Sequence, residues 1–157
     1  MQYTMDRILL RIPIFGPIIR KAIIARIART LATMFGAGIP LVESLETVAR
    51  AAGNRVYTRG ILEVRRDVST GRTLESSMMD TKLFPGMVIQ MVSTGEEAGE
   101  LERMLDKVAE FYEDEVDNSI AVIASLVEPF LIIILGVIVG TIVIAMYLPI
   151  FKLGAVF

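Results

Sequence analysis

Between Pro129 and Leu148 run twenty residues without a single charge, PFLIIILGVIVGTIVIAMYL. At about 1.5 Å per residue they make roughly 30 Å of helix, the thickness of a bilayer's hydrocarbon core. A buried helix of a soluble domain rarely runs so long without a polar face. One membrane-spanning helix is therefore expected over residues 119–151, followed by a short tail at 152–157. The apolar pattern from Ile120 to Ile150 would measure roughly 46 Å as helix, longer than one perpendicular crossing. Glu128-Pro129 marks the expected membrane surface, or a kink near it.

The remainder, roughly 120 residues, suffices for one domain with its own core but hardly for two. The chain has no Cys and no His. Disulfides, thiol chemistry, Cys/His zinc sites and His-based triads are thereby excluded. Net charge is −2 over the 157 residues, but it is unevenly spread. Residues 1–30 sum to +5, 31–72 to +2, 73–118 to −9 and 119–157 to 0. Such polarity fits either a domain that pairs its own ends or two oppositely charged docking faces. The basic residues lack interleaved aromatics and no binding motif accompanies them, so nucleic acid is not an expected partner. The early stretch LLRIPIFGPIIR is interrupted by Arg11, Pro13 and Pro17 and offers no h-region of a secretory signal.

Pro13 and Pro17 predict an extended lead-in over residues 1–17. From Ile18, Ile23, Ile27, Leu31 and Met34 recur at helical spacing, with Arg20, Arg26 and Arg29 on a basic side. Gly36 and Gly38 should stop this helix, and Pro40 suits the first turn of the next. The second helix carries Leu41, Leu45, Val48 and Ala52, and ends at Gly53-Asn54; the third carries Tyr57, Ile61, Val64 and Val68, closed by Thr70-Gly71. Thr73 is the expected N-cap of a short fourth helix. Phe84-Pro85 opens a fifth, with Phe84, Val88 and Met91 inward and Gly95 and Gly99 bracketing its end. In the sixth, Leu101, Met104, Leu105, Val108, Phe111, Tyr112 and Val116 form the apolar stripe, and acids fill the other faces. The fold class is all-α: a six-helix bundle over residues 18–118 with short connections, followed by one transmembrane helix.

Several motifs carry a structural and a functional reading. In Gly95-Glu96-Glu97-Ala98-Gly99-Glu100, Gly95 and Gly99 are expected turn residues, and acids after Gly99 suit a helix N-terminus. The functional alternative is an exposed acidic knob, in which Glu96, Glu97 and Glu100 dock a basic partner. The acid-rich sixth helix, ending in EDEVD, reads as a solvated face; it lacks the loop spacing of a Ca²⁺ site, and no metal or other cofactor is expected. Glu128, before Pro129, is an ionisable group within an apolar run, which is costly without a partner; it either faces headgroups or pairs with a basic group on a neighbour. Gly136 and Gly140 form a GxxxG that lets another helix approach closely, which points to a homo-oligomer. The basic residues Arg7, Arg11, Arg20, Lys21, Arg26 and Arg29 form a solvated face or touch anionic lipid.

Three stretches taken together, FGPIIRKAIIARIARTLATMFGAGIPLVESLETVA, LFPGMVIQMVSTGEEAGELERMLDKVAEFYEDEVD and SLVEPFLIIILGVIVGTIVIAMYLPIF, resemble the GspF/PilC family of inner-membrane platform proteins of type II secretion systems and type IV pili. The resemblance runs from about Leu10 to Leu153 and favours the pilus branch. Family members carry two copies of the helical domain and three membrane segments; this chain is similar to the second copy plus the last segment, with Met1–Asp6 standing where a longer member would continue upstream.

The resemblance implies a cytoplasmic helical domain beneath the bacterial inner membrane and no catalytic activity. It implies contacts with the cytoplasmic assembly ATPase, with alignment-complex proteins and with the pilin or pseudopilin being extracted from the bilayer. The sixth helix would be the mechanical link. A generic membrane-anchored helical adaptor with no secretion role is the rival reading. An intramembrane hydrolase such as a prepilin peptidase lacks its chemistry here, because Glu128 is the only acid in the span region.

Overall fold

Pro17 lies in the first turn of the first helix, not before it. The computed structural model describes residues 15–154, the side chains of residues 150 and 152–154 excepted. Residues 1–14 of the expected lead-in, with Arg7 and Arg11, and residues 155–157 of the expected tail lie outside the described residues. Helix α1 spans Phe15–Gly36, so its start precedes the expected Ile18. A proline is tolerated in the first turn because amide groups there have no intrahelical acceptor.

Five further helices follow: α2 Leu41–Ala51, α3 Arg55–Ser69, α4 Leu74–Thr81, α5 Gly86–Ala98 and α6 Leu101–Gly154. No strand occurs among the described residues. The chain divides between Asp117 and Asn118 into two compact units. The first comprises α1–α5 and residues 101–117 of α6. Each of the helices α1 to α4 packs on the next in sequence, as short connections require.

The connections combine left-handed glycines with side-chain caps. Gly38 (φ +79°) lets Ile39 N–H donate to Met34 O at 3.1 Å, which closes α1 two residues after Gly36. Asn54 caps α3, its side-chain oxygen accepting from Val56 N at 2.9 Å and Tyr57 N at 3.4 Å. Thr73 caps α4 by accepting from Ser76 N at 3.2 Å. That cap was expected from a Thr standing before Leu74 and Glu75.

One core joins all six helices. Leu31 of α1, Val48 of α2, Ile61 and Val64 of α3, Leu74 of α4, Val92 of α5 and Leu105 and Val108 of α6 are at most 2% exposed. Each such aliphatic side chain contributes about 1.5–3 kcal/mol relative to leaving it in water. Tyr57 sits edge-on to Phe84, ring centroids 6.0 Å apart, and its hydroxyl donates to Leu83 O at 3.2 Å. Burial pushes the Tyr57 phenol above its ordinary pKa.

Several positions expected inward are less buried than their spacing implies, Val116, Phe111 and Met34 among them. Phe111 is 46% exposed at the surface and meets Tyr112 edge-on at 5.2 Å, while Tyr112 itself is buried. Phe111 stands at the edge of the α6 stripe, one position too far round to reach the core. Met34 is only half-buried, and Ile24 takes the deeper place in α1.

The second unit is the rest of α6. Helix is assigned through both Pro129 and Pro149. Its apolar segment has a mean hydropathy of 2.9 over eighteen residues, and none of that window is buried within the protein. By length and composition α6 can cross a membrane, and isoleucines, leucines and valines stand exposed all along it.

Candidate functional site

The Gly95–Glu100 junction is built differently from a two-glycine turn. Gly95 is a buried interior residue of α5, and only Gly99 (φ +68°) takes the left-handed conformation. Gly95 is a glycine for a packing reason: a Cβ there would lie 2.9 Å from Leu101 Cα and 3.2 Å from Met104 Cβ. Its carbonyl accepts Glu100 N–H at 2.9 Å, which ties the end of α5 to the start of α6.

The three acids of this junction occupy separate environments. Glu96 is turned inward and accepts from Leu74 N at 2.7 Å and Glu75 N at 2.9 Å, thereby capping α4. Glu97 is exposed. Glu100 precedes the first turn of α6 rather than lying in it, and pairs with Arg103. Glu100, Glu102 and Asp106 line an open cavity of about 640 Å³ together with Arg103 and with Ala32 and Phe35 of α1. Glu97 and Glu100 are the exposed members of this acidic surface, Glu100 beside Arg103, whereas Glu96 is engaged by α4.

The charge asymmetry of the sequence is resolved inside the bundle. Arg29 of α1 presents its guanidinium as a fork to Glu113, with Nε to Oε1 at 3.0 Å and Nη2 to Oε2 at 2.8 Å. Its remaining Nη1 donates to Asp106. The hydrogen bond from Arg29 holds the Glu113 carboxyl below its usual range. Lys21 donates to Glu115 at 2.7 Å. Two of the four described cations proposed to meet lipid are thus spent on α6. Arg20 also has a partner, while the Arg26 guanidinium lies exposed over Gly53. Sequence order hid these pairs, which join residues 77 to 94 positions apart. The opposite charge of the two segments was the available signal.

In the second unit, Glu128 is exposed on α6 and Pro129 follows within the helix. Nothing within 4 Å would meet a Cβ on Gly136 or on Gly140. Both glycines leave open surface on the helix, which is what close approach of another helix needs. Among the described residues no three carboxylates are grouped to hold a metal ion.

Residues 27–149 match the family description "Type II secretion system (T2SS), protein F". The chain is 51% identical over 153 residues to the type IV pilus assembly protein PilC of Pseudomonas aeruginosa, covering 98% of this chain and 41% of that protein. It is 50% identical over 149 residues to the type IV pilus assembly protein TapC of Aeromonas hydrophila, covering 95% of this chain and 36% of that one. With the type II secretion system protein F of Pseudomonas aeruginosa the identity is 37% over 146 residues, covering 93% of this chain and 36% of the relative. The chain thus spans about two fifths of the length of these relatives, and it matches their C-terminal part. An all-helical bundle whose last helix is apolar enough to cross a membrane, matched over most of its length by that description, is a member of the type II secretion protein F family, also called GspF/PilC.

Proposed function

We propose that this chain is the C-terminal part of a platform for type IV pilus assembly in the bacterial inner membrane, with its bundle in the cytoplasm. The observation that carries the pilus branch is a contrast within one organism. The identity is 51% to the pilus assembly protein of Pseudomonas aeruginosa and 37% to its type II secretion protein F. In this reading the platform is not an enzyme. It works by contacts: with a cytoplasmic assembly ATPase and alignment-complex proteins on the bundle, and with pilin and lipid along the span. The exposed Glu97 and Glu100 are the residues of the acidic surface offered to a basic partner, and α6 is the element common to both units.

The test is a chimera. The corresponding C-terminal part of the Pseudomonas aeruginosa PilC is replaced by this chain, and in parallel that of its type II secretion protein F. Surface pili and secreted protein are then measured. Pili restored without secretion is the expected result; secretion without pili would assign the chain to the other branch. Loss of ATPase copurification on Glu97→Lys with Glu100→Lys, in a chimera that still reaches the membrane, is the expected result for the acidic surface. Unchanged copurification would remove these residues from it.

A further inference from the structure

Glu128, Ile132, Gly136 and Gly140 follow one another at intervals of four along α6. At 100° per residue, such a row drifts by about 40° per step, so Glu128 and Gly140 lie within roughly 120° of one another on the helix surface. Along the axis Gly136 lies about 12 Å and Gly140 about 18 Å beyond Glu128. Rows of this kind are the ridges and grooves along which right-handed helix pairs cross, and close approach at Gly-xxx-Gly belongs to that geometry. A helix that touches Gly140 and Gly136 on such a course passes Ile132 and then reaches Glu128.

Two acceptors wait at that end of the row. Glu128 is the sole charged residue between Asp117 and Lys152. Pro129 has no N–H, so the carbonyl of Ser125 loses its helical donor, and Ser125 falls on the same arc about 60° from Glu128. The Ser125 hydroxyl cannot serve both sides, since it donates to Val122 O at 2.8 Å. A carboxylate and a carbonyl within one helical turn of each other, where the uncharged run begins, call for a cationic side chain with several N–H donors. A second copy of the chain inserted in the same direction brings the wrong charge, because it would set Glu128 against Glu128.

We propose that the Glu128–Ile132–Gly136–Gly140 row of α6 seats a transmembrane helix of a different sequence that carries a lysine or arginine at the level of Glu128. A second copy of this chain does not take that place. The inference rests on the reading of α6 as a membrane span, and it turns the glycine pair from a self-association motif into half of a heterologous one. The cation supplies specificity and register, and the glycines supply close approach.

The test uses the whole chain in phosphatidylcholine/phosphatidylglycerol vesicles and a designed apolar helical peptide. The peptide carries Gly-xxx-Gly with one Lys eight residues before its first Gly; a control peptide has Leu for that Lys. Association is read by fluorescence transfer. The Lys peptide is expected to bind about tenfold more tightly than the control. Glu128→Gln should erase that ratio, and Gly136→Leu should weaken both peptides. Because the chain has no Cys, Gly140→Cys reports self-association by disulfide cross-linking, which is expected to be absent. Equal binding of the two peptides, a ratio unmoved by Glu128→Gln, or efficient Gly140→Cys homodimers would each overturn the inference. A membrane-impermeant maleimide applied to the same cysteine separates the two readings. Labelling would overturn the span and this inference with it; protection combined with equal binding would overturn the inference alone.

Discussion

The Glu96 carboxylate receives the first two amide groups of a helix that begins twenty-two residues earlier in the chain, Leu74 N at 2.7 Å and Glu75 N at 2.9 Å. Together with Thr73, which takes Ser76 N, it satisfies three N–H groups that the eight-residue α4 would otherwise leave open. A helix this short has little cohesion of its own, so its docking depends on Leu74, Met78 and this cap.

Glu96→Gln is accordingly expected to destabilise the bundle by about 1–2 kcal/mol, since it replaces a charge-assisted bidentate acceptor with a single amide oxygen. Glu97→Gln, at an exposed neighbour, should stay within about 0.5 kcal/mol. Urea unfolding of the detergent-solubilised chain, followed by circular dichroism, compares the two. Equal midpoints would show that the Glu96 cap adds nothing. The same contrast bears on docking experiments: reversing Glu96 damages the fold, so Glu97 is the informative position.

Gly95 and Gly60 are both interior helix glycines, but they face different neighbours. At Gly95 an added Cβ meets Leu101 backbone at 2.9 Å; at Gly60 it meets the end of the Leu83 side chain. Backbone cannot turn aside, whereas a leucine tip can. Gly95→Ala should cost about 1–3 kcal/mol through overpacking. Gly60→Ala should cost less, because the Leu83 tip can move away, while the gain of about 1 kcal/mol in helix propensity is common to both sites. Thermal melting that ranks Gly60→Ala as the more damaging would refute the distinction.

Arg29 and Glu113 confer a pH dependence of known sign. The folded-state pKa of Glu113 is depressed by the hydrogen bond from Arg29. Its contribution is therefore complete above the unfolded carboxylate value, about 4.3, and is lost as pH falls through the lower folded value. Both side chains are more than two-fifths exposed, so screening limits the contribution to under about 1 kcal/mol. Glu113→Gln should lower stability at pH 7 by up to that amount and shrink the fall in stability between about pH 5 and pH 3. An acid limb unchanged by the substitution, in unfolding followed from pH 7 to pH 3, would remove the pair from the acid response.

What the sequence displayed was whatever repeats with the helix. Ile23, Ile27 and Leu31, then Leu45 and Val48, then Leu105 and Val108, are each fixed by spacing alone and all are buried. Thr73 announced a helix start by its chemistry, and an uncharged run of bilayer length announced a helix long and apolar enough to cross a membrane. Relations between distant residues were hidden. Nothing local distinguishes Glu96, which reaches across to Leu74, from Glu97, which does not. Two glycines around an acidic pair look like a turn until the Gly95–Leu101 approach is measured. Pro17 reads locally as a helix breaker, because its place within the first turn depends on where α1 begins.

Phe111 and Leu105 offer the sharpest test of how far helical spacing can be trusted. Both belong to the apolar pattern of α6, yet Leu105 is 1% exposed and Phe111 46%. Leu105→Ala should cost about 2–5 kcal/mol, the removed methyl groups plus the cavity left among the surrounding helices. Phe111→Ala loses only a half-exposed ring and its edge contact with Tyr112, worth about 0.5–1.5 kcal/mol. Unfolding midpoints of the two variants, measured side by side, should differ at least twofold in their displacement from the parent chain. Comparable displacement would mean that Phe111 is covered in the assembled protein, and the α6 stripe would then extend into an interface.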